Sequence, residues 1–217
     1  MKIVIQCAAK KGPDAGCITD RTGKQVLFVA DPDAAPPSEE CIYARPDDIA
    51  ETGKSWRDLL LEYNEQPENN PLDLYPAYQL YMNDTYRALV NKYRAENVYI
   101  LSAGWGLIGA EFLTPKYDIT FSPSADSYKR RRKRDSYKDF RMLPDGCNDD
   151  LVFFGGKDYL PLFSKLSSNY AGQKFVFYNS ATLPDAPGCK LIKYHTSTRT
   201  NWHYECAKAF IHGAVTT

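Results

Sequence analysis

Residues suited to chemistry gather between Asn97 and Phe121, NVYILSAGWGLIGAEFLTPKYDITF. A short apolar run ends there in Ser102-Ala103-Gly104-Trp105-Gly106, and Asp118 follows thirteen residues after Trp105. An apolar run bounded by glycines reads as a buried strand stopping at a tight turn. Glycines on either side of one Trp let backbone approach a ligand closely while a flat ring stands beside it. Such a turn with a nearby carboxylate has the parts of a pocket for a ring-shaped substrate. Asp84, within Tyr81-Met82-Asn83-Asp84-Thr85-Tyr86, is a second acid in an aromatic setting. Breaking a base–sugar bond builds positive charge on the sugar, which a carboxylate stabilises directly or by orienting water. Asp118 and Asp84 are the candidates for that work. His195 could donate to charge developing on a leaving group, and Asn179 could hydrogen-bond a leaving base.

Eleven residues past Asp118 begins a run of six cations: Lys129, Arg130, Arg131, Arg132, Lys133 and Arg134. Adjacent like charges repel, and a polyanion relieves that repulsion while releasing its own counterions. Tyr128 and Tyr137 flank the run and suit stacking or sugar contact. The competing reading is a solvated loop paired with Asp126, Asp135 and Asp139. Gly155-Gly156-Lys157-Asp158-Tyr159 follows another apolar run and opens a helical pattern, an arrangement whose exposed amides favour an anion. The spacing of a P-loop is absent. His195-Thr196-Ser197-Thr198-Arg199-Thr200-Asn201 offers hydroxyls and Arg199 to a phosphate backbone. Lys10 and Lys11, after the first apolar run, complete the expected phosphate-contacting set with Lys157 and Arg199.

The elements that must position these groups alternate. Strands are expected at Lys2 to Gln6, Val26 to Ala30, Asn97 to Ser102, Leu151 to Phe154, Lys174 to Tyr178 and Lys190 to Tyr194. Helices are expected from Ser55, over Pro76 to Ala95, over Lys157 to Ser167 and over Thr200 to Gly213, with a basic helix over Ser124 to Phe140. Asp31 to Pro46, rich in Pro and acid, reads as a surface excursion. This alternation predicts an α/β fold: a single domain with a mainly parallel central sheet flanked by helices. In such sheets ligands bind beyond the carboxyl ends of the strands. Five turns would then share one edge: Cys7 to Lys11, Gly104 to Gly106, Gly155 to Tyr159, Asn179-Ser180 and His195 to Asn201.

The bulk numbers narrow the function class. The 217 residues carry 27 Lys plus Arg against 27 Asp plus Glu, so attraction to nucleic acid must come from a local patch. No apolar stretch approaches a membrane span, and the N-terminus reads as a first strand, so a cytoplasmic protein without membrane contact is expected. The six cysteines form no CxxC pair, and no metal or cofactor is expected. Sixteen Tyr, 10 Phe and 3 Trp give ample material for stacking.

Three ordered stretches resemble the YaaA family of peroxide-stress proteins and related domains of unknown function. LSAGWGLIGAEFLTPKYD has the shape of that family's LSGLYGLLRPLD-x-x-x-PY segment, with PYD in a more distant branch. Pro76-Ala77, Tyr81, Asp84, Tyr86 and Leu89 fall in step with its PA-x-x-x-F-x-GD-x-Y-x-GL, and FFGGKDYL places Tyr159 on the Tyr and Asp158 on the Glu of its NLAS-x-EYF. The first strand with Ala9-Lys10 matches its early PAK weakly. The resemblance implies a DNA-associated α/β fold, distantly similar to the uracil-DNA-glycosylase-like class, spanning residues 1–217 with a basic insertion near 124–141. It implies pocket residues Asp84, Tyr86, Trp105, Gly106, Tyr117 and Tyr159; Asn179 joins the expected base pocket from its place after a strand.

The expected function is therefore that of a DNA N-glycosidase, which flips a modified or damaged base into a pocket and excises it. Stress response or antiviral defence against modified phage DNA is compatible with that activity. The alternatives are a non-catalytic DNA-binding stress protein and an enzyme acting on nucleosides or RNA.

Overall fold

The computed structural model describes residues 1–132 and 134–217; Lys133, part of the expected basic patch, lies outside the described residues. The chain runs β1 (Lys2–Gln6), β2 (Gln25–Phe28), β3 (Cys41–Ala44), α1 (Trp56–Tyr63), β4 (Tyr75–Pro76), α2 (Ala77–Leu80), α3 (Thr85–Tyr93), β5 (Val98–Ser102), β6 (Gly106–Gly109), β7 (Leu113–Thr114), β8 (Phe140–Arg141), β9 (Leu151–Phe154), α4 (Leu160–Leu166), β10 (Lys174–Tyr178), β11 (Cys189–Lys193) and α5 (Trp202–Ile211).

The architecture is mixed α/β around a seven-stranded sheet of order β11-β10-β9-β1-β5-β6-β8. β1 pairs in parallel with both β5 and β9, and β10 with both β9 and β11. β5 and β9 are buried at every position. Such continuous apolar runs mark strands covered on both faces. Neighbouring strand residues point to opposite faces, and the aromatics show what covers each. Phe153 stacks on Phe163 of α4 at 4.5 Å, whereas Phe154 meets Phe177 and Phe210 of α5. α4 and α5 therefore lie on opposite faces, and α3 joins α5 through Tyr93–Phe210 and Tyr86–Tyr204. β11, at one edge, is only half buried and carries exposed Lys190 and Lys193.

Numbered along the chain, the five parallel strands lie in the order 2-1-3-4-5. That is one of the two common doubly wound arrangements, and the strand order reverses between the carboxyl ends of β1 and β9. All five expected turns leave the same edge, because all five strands preceding them are parallel.

Several elements differ from the sequence expectation. The excursion after β2 returns as β3, which pairs with β2 in a small parallel sheet. The helix expected over Pro76 to Ala95 is broken into α2 and α3. Tyr81 turns extended and bridges Lys11, and the Asn83 side chain accepts from the Thr85 amide at 3.0 Å. Asn competes well with helical hydrogen bonding in this way. Among its described residues the basic segment is not a helix beyond one short 3-10 turn, Ser127–Lys129. Its backbone pairs sideways instead: Thr120 N donates to Lys129 O and Arg131 N to Thr120 O, both at 2.9 Å. α4 and α5 start three and two residues later than expected. Among the described residues no helix is long and apolar enough to cross a membrane.

Candidate functional site

The Gly-Trp-Gly turn packs inward. Ser102 Oγ accepts from the Gly104 and Trp105 amides at 3.2 and 3.1 Å and donates to the Tyr117 hydroxyl at 2.9 Å. Arg57, itself 3% exposed, donates to the Trp105 and Gly104 carbonyls at 2.9 and 3.0 Å and is held by Asp47. The Trp105 ring is fully buried, edge-on to Phe28 at 5.0 Å and stacked on Phe140 at 6.4 Å. Gly106 has φ +91°, and a Cβ there would come within 2.6 Å of the Phe140 carbonyl oxygen. Glycine is thus required by chain packing against β8 and not by a ligand. Trp105 and Gly106, expected in a base pocket, belong to the core because Arg57 and Phe140 fill the space around them.

The cavity lies instead at the reversal between β1 and β9, with a volume of about 710 Å³. That size suits a nucleotide-sized ligand. Gln6 to Lys10 at the end of β1, Gly156, Asp158 and Tyr159 after β9, and Arg199 to Tyr204 entering α5 supply most of its wall. Met82 and Asn83, from the break between α2 and α3, and Thr120 and Ser122 complete it. Three of the five edge turns therefore converge there. Gly104 to Gly106 is walled off, and Asn179 lies outside the lining, its amide donating to the Thr198 carbonyl at 3.3 Å.

Behind the lining sits a hydroxyl network. Cys7 Sγ and the Tyr159 hydroxyl share a hydrogen bond of 3.2 Å. The Tyr204 hydroxyl pairs with that of Tyr86 at 2.9 Å, and Tyr86 donates to the Gln6 carbonyl at 2.7 Å. Tyr81 and Tyr117 share a bond of 2.8 Å. Burial pushes the phenols of Tyr81, Tyr86, Tyr117 and Tyr159 well above the usual range, and that of Tyr204 up to about 12. All five are neutral hydroxyls near pH 7. Of the expected base-pocket residues, Tyr159 lines the cavity; Tyr86 and Tyr117 form the layer behind it.

The charged groups redistribute as well. Asp118 does not line the cavity and pairs with Lys129 at 3.0 Å; Lys129 also holds Asp126 at 3.1 Å. These hydrogen bonds raise the Lys129 pKa. Asp84 is exposed at the start of α3, and His195 is exposed on the loop before α5. That loop is tied to Glu205, whose carboxylate accepts from Tyr194, Thr196 and Thr198. Among the lining residues the one carboxylate is Asp158. Lys10 and Arg199 supply cations to the lining, and both are exposed. Lys157 borders a smaller recess with Pro184 and Asp185. Lys11 points inward, 4.0 Å over the Tyr117 ring, and burial lowers its pKa.

The described residues of the basic run do not form one exposed patch. Arg131 is 6% exposed and clasps Asp139 with both terminal nitrogens at 2.7 and 2.8 Å. It also donates to the Ala103 carbonyl at 2.8 Å and lies 3.9 Å over the Tyr137 ring. Arg130 donates to the Pro123 carbonyl, Arg132 is half-buried and Arg134 is exposed.

Gln6, Asn83, Asn201, Trp202, His203 and Tyr204 also line the cavity, beyond the site residues that the sequence predicts. A strand ending in Gln and a helix opening on Trp-His-Tyr were the available signals. His203 is 4% exposed, and burial lowers its pKa to about 4, so it is neutral near pH 7. Among the described residues no cluster of three or more His, Cys, Asp or Glu forms a metal site. No family model, curated protein or solved structure matches this chain.

Proposed function

We propose that this cavity receives a nucleotide and that the protein is a DNA N-glycosidase excising a modified or damaged base. The observation that carries this reading is the composition of one crevice. Aromatic side chains Tyr159 and Trp202, carboxamides Gln6 and Asn83, a single carboxylate and two cations line the same cavity at the strand-order reversal. The aromatics suit a base, the carboxamides its polar edge, and Lys10 and Arg199 its flanking phosphates.

In this scheme Asp158, in place of Asp118 and Asp84, supplies the carboxylate. The bond between base nitrogen and sugar carbon breaks, and its electron pair leaves with the base. Asp158 stabilises the positive sugar and accepts a proton from the water whose oxygen bonds to that carbon. The departing base takes a proton from solvent or a lining hydroxyl. Kinship with the YaaA family is part of the same proposal, supported by Tyr159 in the lining.

The test is incubation with single- and double-stranded DNA carrying normal or modified bases, with released base read by mass spectrometry. Release that is lost in Asp158→Asn while DNA binding persists is the expected result. Absence of release from every DNA, or release unchanged in Asp158→Asn, refutes the scheme. The inward turn of Arg131 leaves fewer cations for a duplex and favours a second reading, a free nucleoside or nucleotide as substrate. The same assay on free nucleotides decides between the two.

A further inference from the structure

Gln6 ends β1 in the wall of the crevice, and three contacts fix it. Its backbone is in register with Leu101 of β5, its carbonyl accepts from Tyr86 at 2.7 Å, and its side-chain Oε1 accepts from the Gly156 amide at 2.6 Å. A backbone N–H can only donate, so the carboxamide oxygen must be the atom facing Gly156. The NH₂ group is left over, and among the described residues it donates to nothing. Asn83 is arranged alike: its oxygen accepts from the Thr85 amide, leaving its NH₂ free. The nearby hydroxyls are already engaged, Tyr159 with Cys7 and Tyr204 with Tyr86.

From this geometry we infer that Gln6 is a specificity-determining residue, presenting a locked hydrogen-bond donor that selects bases with a carbonyl acceptor over those with an amino group. The inference rests on the nucleotide-binding reading above and gives the base its chemistry. A carbonyl oxygen accepts from the Gln6 NH₂. An exocyclic amino group in its place sets donor against donor and leaves both unpaired, and an unpaired buried polar group is costly. Pre-organisation matters as much as the donor itself, because a carboxamide free to rotate would serve either base. The Gly156 amide removes that freedom, since turning the NH₂ toward it would again oppose two donors.

The experiment is calorimetric titration of the whole protein with two pairs of nucleoside monophosphates: uridine against cytidine, and inosine against adenosine. Each pair exchanges a carbonyl and its neighbouring ring N–H for an amino group and a bare ring nitrogen and keeps the phosphate, so the ratio within a pair isolates that edge of the base. Wild type is expected to favour the carbonyl member by about tenfold or more. In Gln6→Glu one carboxylate oxygen still accepts from Gly156 while the other now accepts from ligand, so the preference inverts. In Gln6→Met it falls to near unity. Melting curves establish that both variants are folded. A carbonyl preference that survives in Gln6→Met and Gln6→Glu, or equal binding of both members by wild type, overturns the inference and leaves the cavity reading standing. If wild type binds none of the four, the inference is overturned, and the cavity reading stands or falls by base release from DNA.

Discussion

Removing Arg131 separates a structural cation from a DNA-binding one. Its partner Asp139 has a side chain only 1% exposed, and its other cation, Lys165, sits 3.5 Å away and largely in solvent. Arg131→Ala therefore strands a buried carboxylate and also removes the donor to the Ala103 carbonyl. Breaking a buried pair from one side costs about 3–5 kcal/mol. With an unfolding entropy of ~2.1 cal/mol/K per residue over 217 residues, a loss of ~4 kcal/mol lowers Tm by roughly 9 °C. The double variant Arg131→Met with Asp139→Leu is expected to recover at least half of that loss, because the stranded charge is gone. Arg134→Ala, at an exposed position, should leave Tm within about 1 °C. The assay is thermal unfolding by circular dichroism, with the salt dependence of DNA affinity measured alongside. If Arg131→Ala melts with wild type while lowering the slope of log K against log salt by about 0.9, Arg131 is a phosphate contact and the reasoning is wrong.

Other consequences can be checked in the same way. Gly106→Ala combines a left-handed backbone with a Cβ 2.6 Å from the Phe140 carbonyl oxygen, so it should cost about 2 kcal/mol or more in urea unfolding. His203 is neutral when folded, with a pKa near 4, but takes a proton near pH 6.5 when unfolded. Its depressed pKa makes stability fall as pH drops below about 6.5, by about 3 kcal/mol in total near pH 4, and His203→Phe should flatten that part of the curve. Lys10→Ala with Arg199→Ala should lower the salt slope of duplex binding by up to about 1.8, since each exposed cation at the cavity counts for one phosphate.

The parallel strands were legible because burial on both faces leaves uninterrupted apolar runs, as in Leu151-Val152-Phe153-Phe154. Their shared carboxyl edge followed from the alternation with helices. The inward orientation of Trp105 was not legible. A Trp between glycines reads the same whether a ligand or a distant side chain fills the space beside it, and here Arg57 fills it from forty-eight residues earlier. Arg131 looked like its neighbours because nothing local distinguishes a cation with a buried carboxylate eight residues on. The break after Leu80 depends on Lys10 and Lys11 reaching Tyr81 and Met82, a contact with no local trace. Asp158 was visible only as a match to a family acid, and its place in the cavity comes from the pairing of β9 with β1.

The half-buried edge strand β11 bears on how the molecule behaves among copies of itself. Among the described residues its outer row of backbone groups has no partner strand, and β8, at the opposite edge, is only two residues long. With equal numbers of acidic and basic side chains, the chain lacks the overall repulsion that keeps many proteins dispersed. Protection against strand-to-strand association is therefore local: Lys190 and Lys193 place charge along β11, and Lys190 also lies over the Phe175 ring. The two edge lysines, neither of which lines the cavity, thus answer to a constraint separate from what the cavity binds.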